Sequence, residues 1–218
     1  ACIERAFATK PPAAPVGKCQ LRWWEYAWLM HCAGLQPGMK VLDIGGDKST
    51  FALALRFAGC DVTVVDVNVD EHCGNWWRAN GIHWMRHDVM RLPFTDRQFD
   101  RAFSVCVGEH IGDTTCMGWA WPSSEAKLLY GCDMLVREAI RVVKRDGLSC
   151  NTFDFSDTQY HAQCGFTPAL ATKFMASIAG GCPHGGIDYG YKGAARNIPG
   201  ESHARDLKAA HTTASFCW

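Results

Sequence analysis

The sequence lacks a charge excess: 22 Lys+Arg stand against 22 Asp+Glu in 218 residues. That balance argues against a partner held mainly by electrostatics, such as a nucleic-acid backbone or an anionic membrane surface. No apolar run approaches the ~20 residues that a bilayer span needs. There is no internal repeat and no low-complexity tract. The opening stretch, residues 1–18, lacks a continuous apolar segment because Glu4, Arg5 and Lys10 interrupt it, so it does not read as a secretion signal. A cytoplasmic location is the expectation. None of the twelve cysteines forms a Cys-x-x-Cys pair, which argues against a structural zinc. We read them as thiols acting as small apolar residues in a reducing compartment, in preference to a disulfide framework. His161-x-x-Cys164 and Cys182-Pro-His184 come nearest to a metal-ligand spacing, and no metal is expected.

What is present is an ordinary globular composition, 48% hydrophobic and 20% charged. A chain of this length buries roughly 70% of its unfolded surface and needs no staples. Residues 1–18, with Pro11, Pro12 and Pro15, read as an extended arm, and an aromatic helix is expected from Gln20 to Cys32. We place residues 1–36 outside the main domain and residues 37–218 within it. From Lys40 the pattern alternates. Strands are expected at 40–44, 61–66, 82–87, 99–107 and 148–155. Helices are expected at 51–58, with Ser49 and Thr50 as capping residues, at 70–80, and over a long amphipathic stretch ending near Lys144. Residues 168–178 read as a helix, 180–200 as a long Gly-rich loop and 211–218 as a final strand. Strands separated by helices imply parallel crossovers and an α/β, Rossmann-like, doubly wound, mostly parallel sheet. Ligands bind such sheets beyond the carboxyl ends of the strands.

The strand ends carry the chemistry. Asp66 closes the second strand, where a carboxylate can accept both hydroxyls of a ribose, although a solvated turn aspartate is the blander reading. Asp43-x-Gly45-Gly46 before it and Asp88 at the third strand end make the constellation more specific. Val41-Leu42-Asp43-Ile44-Gly45-Gly46, Val65-Asp66 and His87-Asp88-x-x-x-Leu92-Pro93-Phe94 together resemble the class I S-adenosylmethionine-dependent methyltransferases of the methyltransferase domain 11 type. Phe99-Asp100-x-x-Phe103-Ser104, then Glu109-His110-Ile111, and Glu138-x-x-Arg141-Val142-Val143-Lys144-x-x-Gly147 extend the likeness, in order, over about residues 37–155. Arg22-Trp23-Trp24-Glu25-Tyr26 is similar to the helix that precedes the core in small-molecule and glycan-type members, and residues 211–216 to the family's antiparallel last strand.

The resemblance implies S-adenosylmethionine as cofactor. Asp43 and the Gly45-Gly46 backbone would lie beside its amino-acid end. Asp66 would hold the ribose hydroxyls, with Val67 on the adenine. Asp88 would accept from the adenine amine with the Val89 backbone alongside, and Ser104 and Val105 would line the floor near the sulfonium. Asp47 and Ser49 stand where the family has its second and third glycines, and Asp47 would repel the cofactor's carboxylate unless it turns toward the cofactor's ammonium. The implied reaction is methyl transfer to a small molecule or glycan acceptor, on oxygen, with His110 as base and Glu109 as its orienter. A role in capping the following loop or helix stands beside the catalytic one for that pair, and His161 and Asp154, near the fifth strand end, are the alternative bases. The aromatic helix, with Trp23, Trp24, Tyr26 and Trp28, packs on the sheet or lids the pocket. Two other classes stay open: a degenerate member of the fold acting as a non-catalytic binding partner, and a nicotinamide-dependent oxidoreductase. The latter wants Gly-x-Gly-x-x-Gly after the first strand, and Gly45-Gly46-Asp47-Lys48-Ser49-Thr50 does not supply it.

Overall fold

Two runs of β-branched and aliphatic residues start the sheet: β1 over Lys40–Ile44 and β2 over Asp61–Asp66. In a computed structural model of the chain they lie side by side and parallel, Val41 opposite Val62 and Ile44 opposite Val65. The structure describes residues 1–9, 20–46, 50–111, 125–155, 170, 173–174 and 212–217. β3 (His83–Arg86) adds to β2, and β4 (Phe99–Val105) adds to the other side of β1, both parallel. β5 (Val143–Phe155) runs parallel to β4, and β6 (Thr212–Cys217) pairs antiparallel with β5, Cys150 opposite Cys217. The strand order is β3-β2-β1-β4-β5-β6.

Helices cover both faces. α1 (Cys2–Ala8), α2 (Gln20–Cys32), α3 (Phe51–Phe57) and α4 (Glu71–Ala79) build one core with Val41, Val62, Val64, Phe103 and Cys150. α5 (Glu125–Val142) buries Leu128, Cys132, Leu135, Val136, Ala139 and Val142 at three- and four-residue spacing, and Leu135, Ala139 and Val142 meet Leu42, Ile44 and Ala102 on the other face. Phe51, at the start of α3, joins the layers: its ring lies 5.1 Å from Phe103 on the sheet and 4.7 Å from Tyr26 of α2. Burying rings of this size contributes about 2–3 kcal/mol each. Trp77 is fully buried in the same core, whereas Trp76 is partly buried. The side chains of Trp23 and Trp24 lie outside the described residues, as do Trp119 and Trp121.

The first residues depart from the extended reading. Residues 2–8 form a helix, because Ala6 is fully buried, Phe7 stacks 5.9 Å from Tyr26, and the Arg5 guanidinium sits 4.0 Å over the Phe57 ring. The arm's remainder, residues 10–19, lies outside the described residues. Thr50 precedes α3 but makes no side-chain capping bond, and Ser49 lies outside the described residues. Asp70 does cap α4, accepting from the Cys73 N–H at 2.7 Å.

The fifth strand starts five residues earlier than the sequence pattern suggests. Val142 and Val143 disfavour further helix, and the Arg97 and Gln98 N–H groups take the carbonyls of Arg141 and Val142. The pairing then shifts register, from Phe99 opposite Val143 to Arg101 opposite Leu148. Asp100 ties the three central strands, accepting from the Lys40 N–H at 2.8 Å and the Lys144 ammonium at 2.6 Å. Burial works against that carboxylate, but Lys144 and the Lys40 amide hold its pKa below the usual value.

The Glu138-x-x-Arg141 pattern also has a structural role. Arg141 donates to both Glu138 oxygens at 2.7 Å, to the Phe94 carbonyl at 2.8 Å and to the Leu92 carbonyl at 3.1 Å. Glu138 in turn accepts from the Leu92 N–H at 2.7 Å. One helix turn of α5 therefore pins the Leu92-Pro93-Phe94 segment. The bond with Arg141, more than any other contact, depresses the Glu138 pKa. Of the expected later elements, Leu170, Lys173 and Phe174 are helical. Phe174 packs 5.5 Å from Phe153. Residues 180–200 lie outside the described residues.

Candidate functional site

The chain runs from β1 outward to β2 and β3, then returns to place β4 on the other flank of β1. This reversal is where a doubly wound sheet opens a crevice at its carboxyl edge. Asp43 and Gly45–Gly46 stand at the end of β1, Asp66 and Val67 at the end of β2, and Asp88 and Val89 beyond β3. Ser104, Val105 and His110 stand at and beyond the end of β4. The sheet thus brings the expected site residues to one edge. Asp47 lies outside the described residues, and so does the side chain of Glu109.

Asp43 is 1% exposed, and its Oδ2 has no hydrogen-bond partner among the described residues. Burial first, and the Asp66 charge second, push its pKa up to about 8. A lone buried carboxyl is costly as an anion, so near neutral pH it holds its proton in the protein alone. A Cβ built on Gly46 would come within 2.9 Å of Asp43 Oδ2 and 2.6 Å of Val64, so only glycine lets this backbone sit against the carboxyl. Gly45 adopts φ +72 and donates its N–H to the Val65 carbonyl at 2.7 Å. A Cβ there would overlap the Val107 side chain, so the turn after β1 and the turn after β4 lie in direct contact.

Asp66 is buried, and its Oδ1 accepts from the Asn68 N–H at 2.7 Å, which folds the chain end of β2 back over the carboxylate. Val67 is half-buried, and its carbonyl takes the Arg86 Nε at 2.7 Å. Asp88 is exposed and accepts from the Met90 N–H at 2.9 Å, while Val89 is buried in the α5-side core. Strand alternation puts Val105 on the α2 side, with Asp43. It puts Ser104 on the α5 side with Ala102, where the Ser104 hydroxyl is fully buried without a partner among the described residues. His110 is half-buried, ending a short 3₁₀ turn (Gly108–His110), and its N–H reaches the Val107 carbonyl at 2.9 Å.

The structure adds a group that sequence reasoning left without a role. Glu25 of α2 is fully buried and accepts from the Thr152 hydroxyl of β5 and, at 3.2 Å, from the Cys106 thiol just past β4. The Cys106 N–H also goes to Thr152, to its carbonyl at 3.0 Å and its hydroxyl at 3.2 Å. Cys106 itself holds φ +53, uncommon for a residue with a Cβ. α2 runs opposite to β4, since its trailing Ala33 carbonyl meets Arg101 Nε at 2.6 Å near the start of that strand. Its leading end therefore lies over the carboxyl edge. The signal in the sequence was a single carboxylate set among Trp23, Trp24, Tyr26 and Trp28.

Comparisons with known proteins point to the same fold. Residues 42–117 match the family model described as Methyltransferase domain. Over 90 residues the chain is 31% identical to the sterol 24-C-methyltransferase ERG6B of Gibberella zeae, a match spanning 38% of this chain and 24% of that protein. Among solved structures, phosphoethanolamine N-methyltransferase 2 of Haemonchus contortus, in complex with S-adenosyl-L-methionine, superposes with a TM-score of 0.52 at 18% identity, covering 71% of this chain and 36% of that one. The PH0226 protein of Pyrococcus horikoshii gives 0.50 at 19% identity, covering 70% and 65%. At these identities the structural likeness is one of fold. The chain spans about a quarter of its sterol-methyltransferase relative, and residues 42–117, matched by the family model, carry the strand-end motifs.

Proposed function

We propose that the chain is an S-adenosylmethionine-dependent methyltransferase acting on a small-molecule or glycan acceptor, with oxygen as the atom methylated. The observation that carries the cofactor is Asp43: a buried carboxyl oxygen without a partner among the described residues, pressed against glycine backbone at the switch point of the sheet. An ammonium placed there would satisfy that oxygen and favour its ionised form. Asp66, one strand over, presents a carboxylate suited to a pair of ribose hydroxyls, and the exposed Asp88 can accept from an exocyclic amine. The donor set therefore fits the cofactor's amino-acid end, ribose and base in the order of the strands. The family match over residues 42–117 supports the same reading.

When bound, the cofactor supplies an activated methyl group on a sulfonium. The chain's own task is then to align the acceptor, keep water out and take up the acceptor's proton. His110 lies just beyond β4, and we assign it the proton, with Glu109 beside it in sequence as its orienter. The balanced net charge and the absence of an Asn-Pro-Pro-Tyr-type run after β4 favour an acceptor other than a nucleic-acid base.

Calorimetric titration with S-adenosylhomocysteine, wild type beside Asp66→Ala, tests the pocket. Micromolar binding that the substitution abolishes is the expected result. No heat and no thermal shift in well-folded wild type would refute the enzyme reading and leave a non-catalytic member of the fold.

A further inference from the structure

We infer that Glu25 is a positioning residue: through Cys106 and Thr152 it holds the left-handed turn after β4 that seats Val107 against Gly45, and so shapes the glycine turn after β1. This rests on the cofactor site proposed above, whose amino-acid end that turn would form.

The chain of contacts is short. Cys106 leaves β4 at φ +53, a region that a side chain populates sparsely. Something must compensate, and hydrogen bonds to Thr152 and Glu25 converge on that residue. Its N–H is shared between the carbonyl and the hydroxyl of Thr152, and its thiol donates to Glu25 Oε1. The Thr152 hydroxyl is itself oriented by a bond to the same Glu25 oxygen. Glu25 thus anchors two of the groups that fix Cys106. The left-handed residue redirects the chain, so Val107 crosses from β4 toward β1. There it occupies the space a Gly45 side chain would need. Gly45 is held at φ +72 between this contact and its bond to Val65. Glu25 is fully buried, and the bonds it accepts from Cys106 and Thr152 are its route to the turn that seats Val107.

Two substitutions at Cys106 separate this role from simple packing. Cys106→Ala keeps the Cβ and loses the thiol bond, whereas Cys106→Gly removes both the bond and the reason for it. If Glu25 serves the turn, Gly binds S-adenosylhomocysteine as tightly as wild type and Ala binds about tenfold more weakly. If the site needs only filled volume, the order reverses, because Gly leaves the larger void, and that result overturns the inference. Glu25→Ala should weaken binding about tenfold in the wild-type background and less than threefold alongside Cys106→Gly. Equal losses in both backgrounds would also overturn it.

Amide hydrogen exchange of the unliganded variants makes the test independent of the cofactor. Cys106→Ala should speed exchange at residues 45–46 and 106–108 relative to Cys106→Gly. Unchanged exchange there refutes the coupling even if wild type binds nothing, whereas faster exchange without wild-type binding supports the coupling and removes only the cofactor reading.

Discussion

Replacing Asp43 by asparagine should make the protein more stable, and by an amount that grows with pH. In an unfolded chain an aspartate titrates near 3.8, but in the fold burial and then the Asp66 charge move Asp43 to about 8. The native state therefore keeps a proton that the unfolded chain releases. Stability must fall as pH rises between those two values, and the cost is absent below the lower one. One proton corresponds to a slope of about 1.4 kcal/mol per pH unit, so the whole interval amounts to roughly 6 kcal/mol at full ionisation. Asparagine carries no such proton. Urea unfolding of wild type and Asp43→Asn, repeated from about pH 5 to about pH 8, reads the difference directly. The stability gap should widen in favour of asparagine by about 1.4 kcal/mol per pH unit at first and flatten as the pH nears about 8. A gap that stays constant across that range would show a carboxylate ionised throughout, and the account of a lone buried carboxyl would be wrong.

Three further outcomes follow from contacts described above. Arg141→Lys keeps the charge but cannot reproduce the fork onto Glu138, Leu92 and Phe94, so it should cost about 2 kcal/mol in chemical denaturation. An unmoved midpoint would mean the segment after β3 is held by other means. Gly45→Ala should lose about 2 kcal/mol or more, from positive φ and overlap with Val107, and Val107→Ala in the same chain should restore part of it. Failure of the second change to help would deny the contact between the turns. Ser104→Ala deletes a buried hydroxyl without a described partner, so thermal unfolding should show no loss and up to about 1 kcal/mol of gain. A loss beyond about 1 kcal/mol would reveal a bond to that oxygen.

The sheet was legible where one residue's surroundings come mainly from its own strand. Val62, Val64 and Val65 are β-branched, sit between glycine and carboxylate, and form β2 as read. The placement of the candidate carboxylates was legible for the same reason: strand ends are local, and parallel pairing brings Asp43, Asp66 and the β4 end to one edge without further information. Elements made by distant contacts were not. The helix at residues 2–8 depends on Phe57 and Tyr26, and its Ala- and Pro-rich surroundings hide it. The early start of β5 depends on Asp100 gripping Lys144 from 44 residues away. Glu25 meets Thr152 across 127 residues, and no pattern inside an aromatic helix foretells that partner.

β3 has a consequence for assembly. Among the described residues it is an outer strand of the sheet, only four residues long, with His83 and Arg86 exposed at its two ends. Arg86 folds back onto the Val67 carbonyl, and His83 lies 3.8 Å from Asp61, so both side chains lean over the neighbouring strand. A second chain that tried to continue the sheet here would find few ladder bonds to gain. A border of this kind discourages strand-to-strand growth. The sheet can thus keep its parallel, highly apolar centre without recruiting copies of itself along this side.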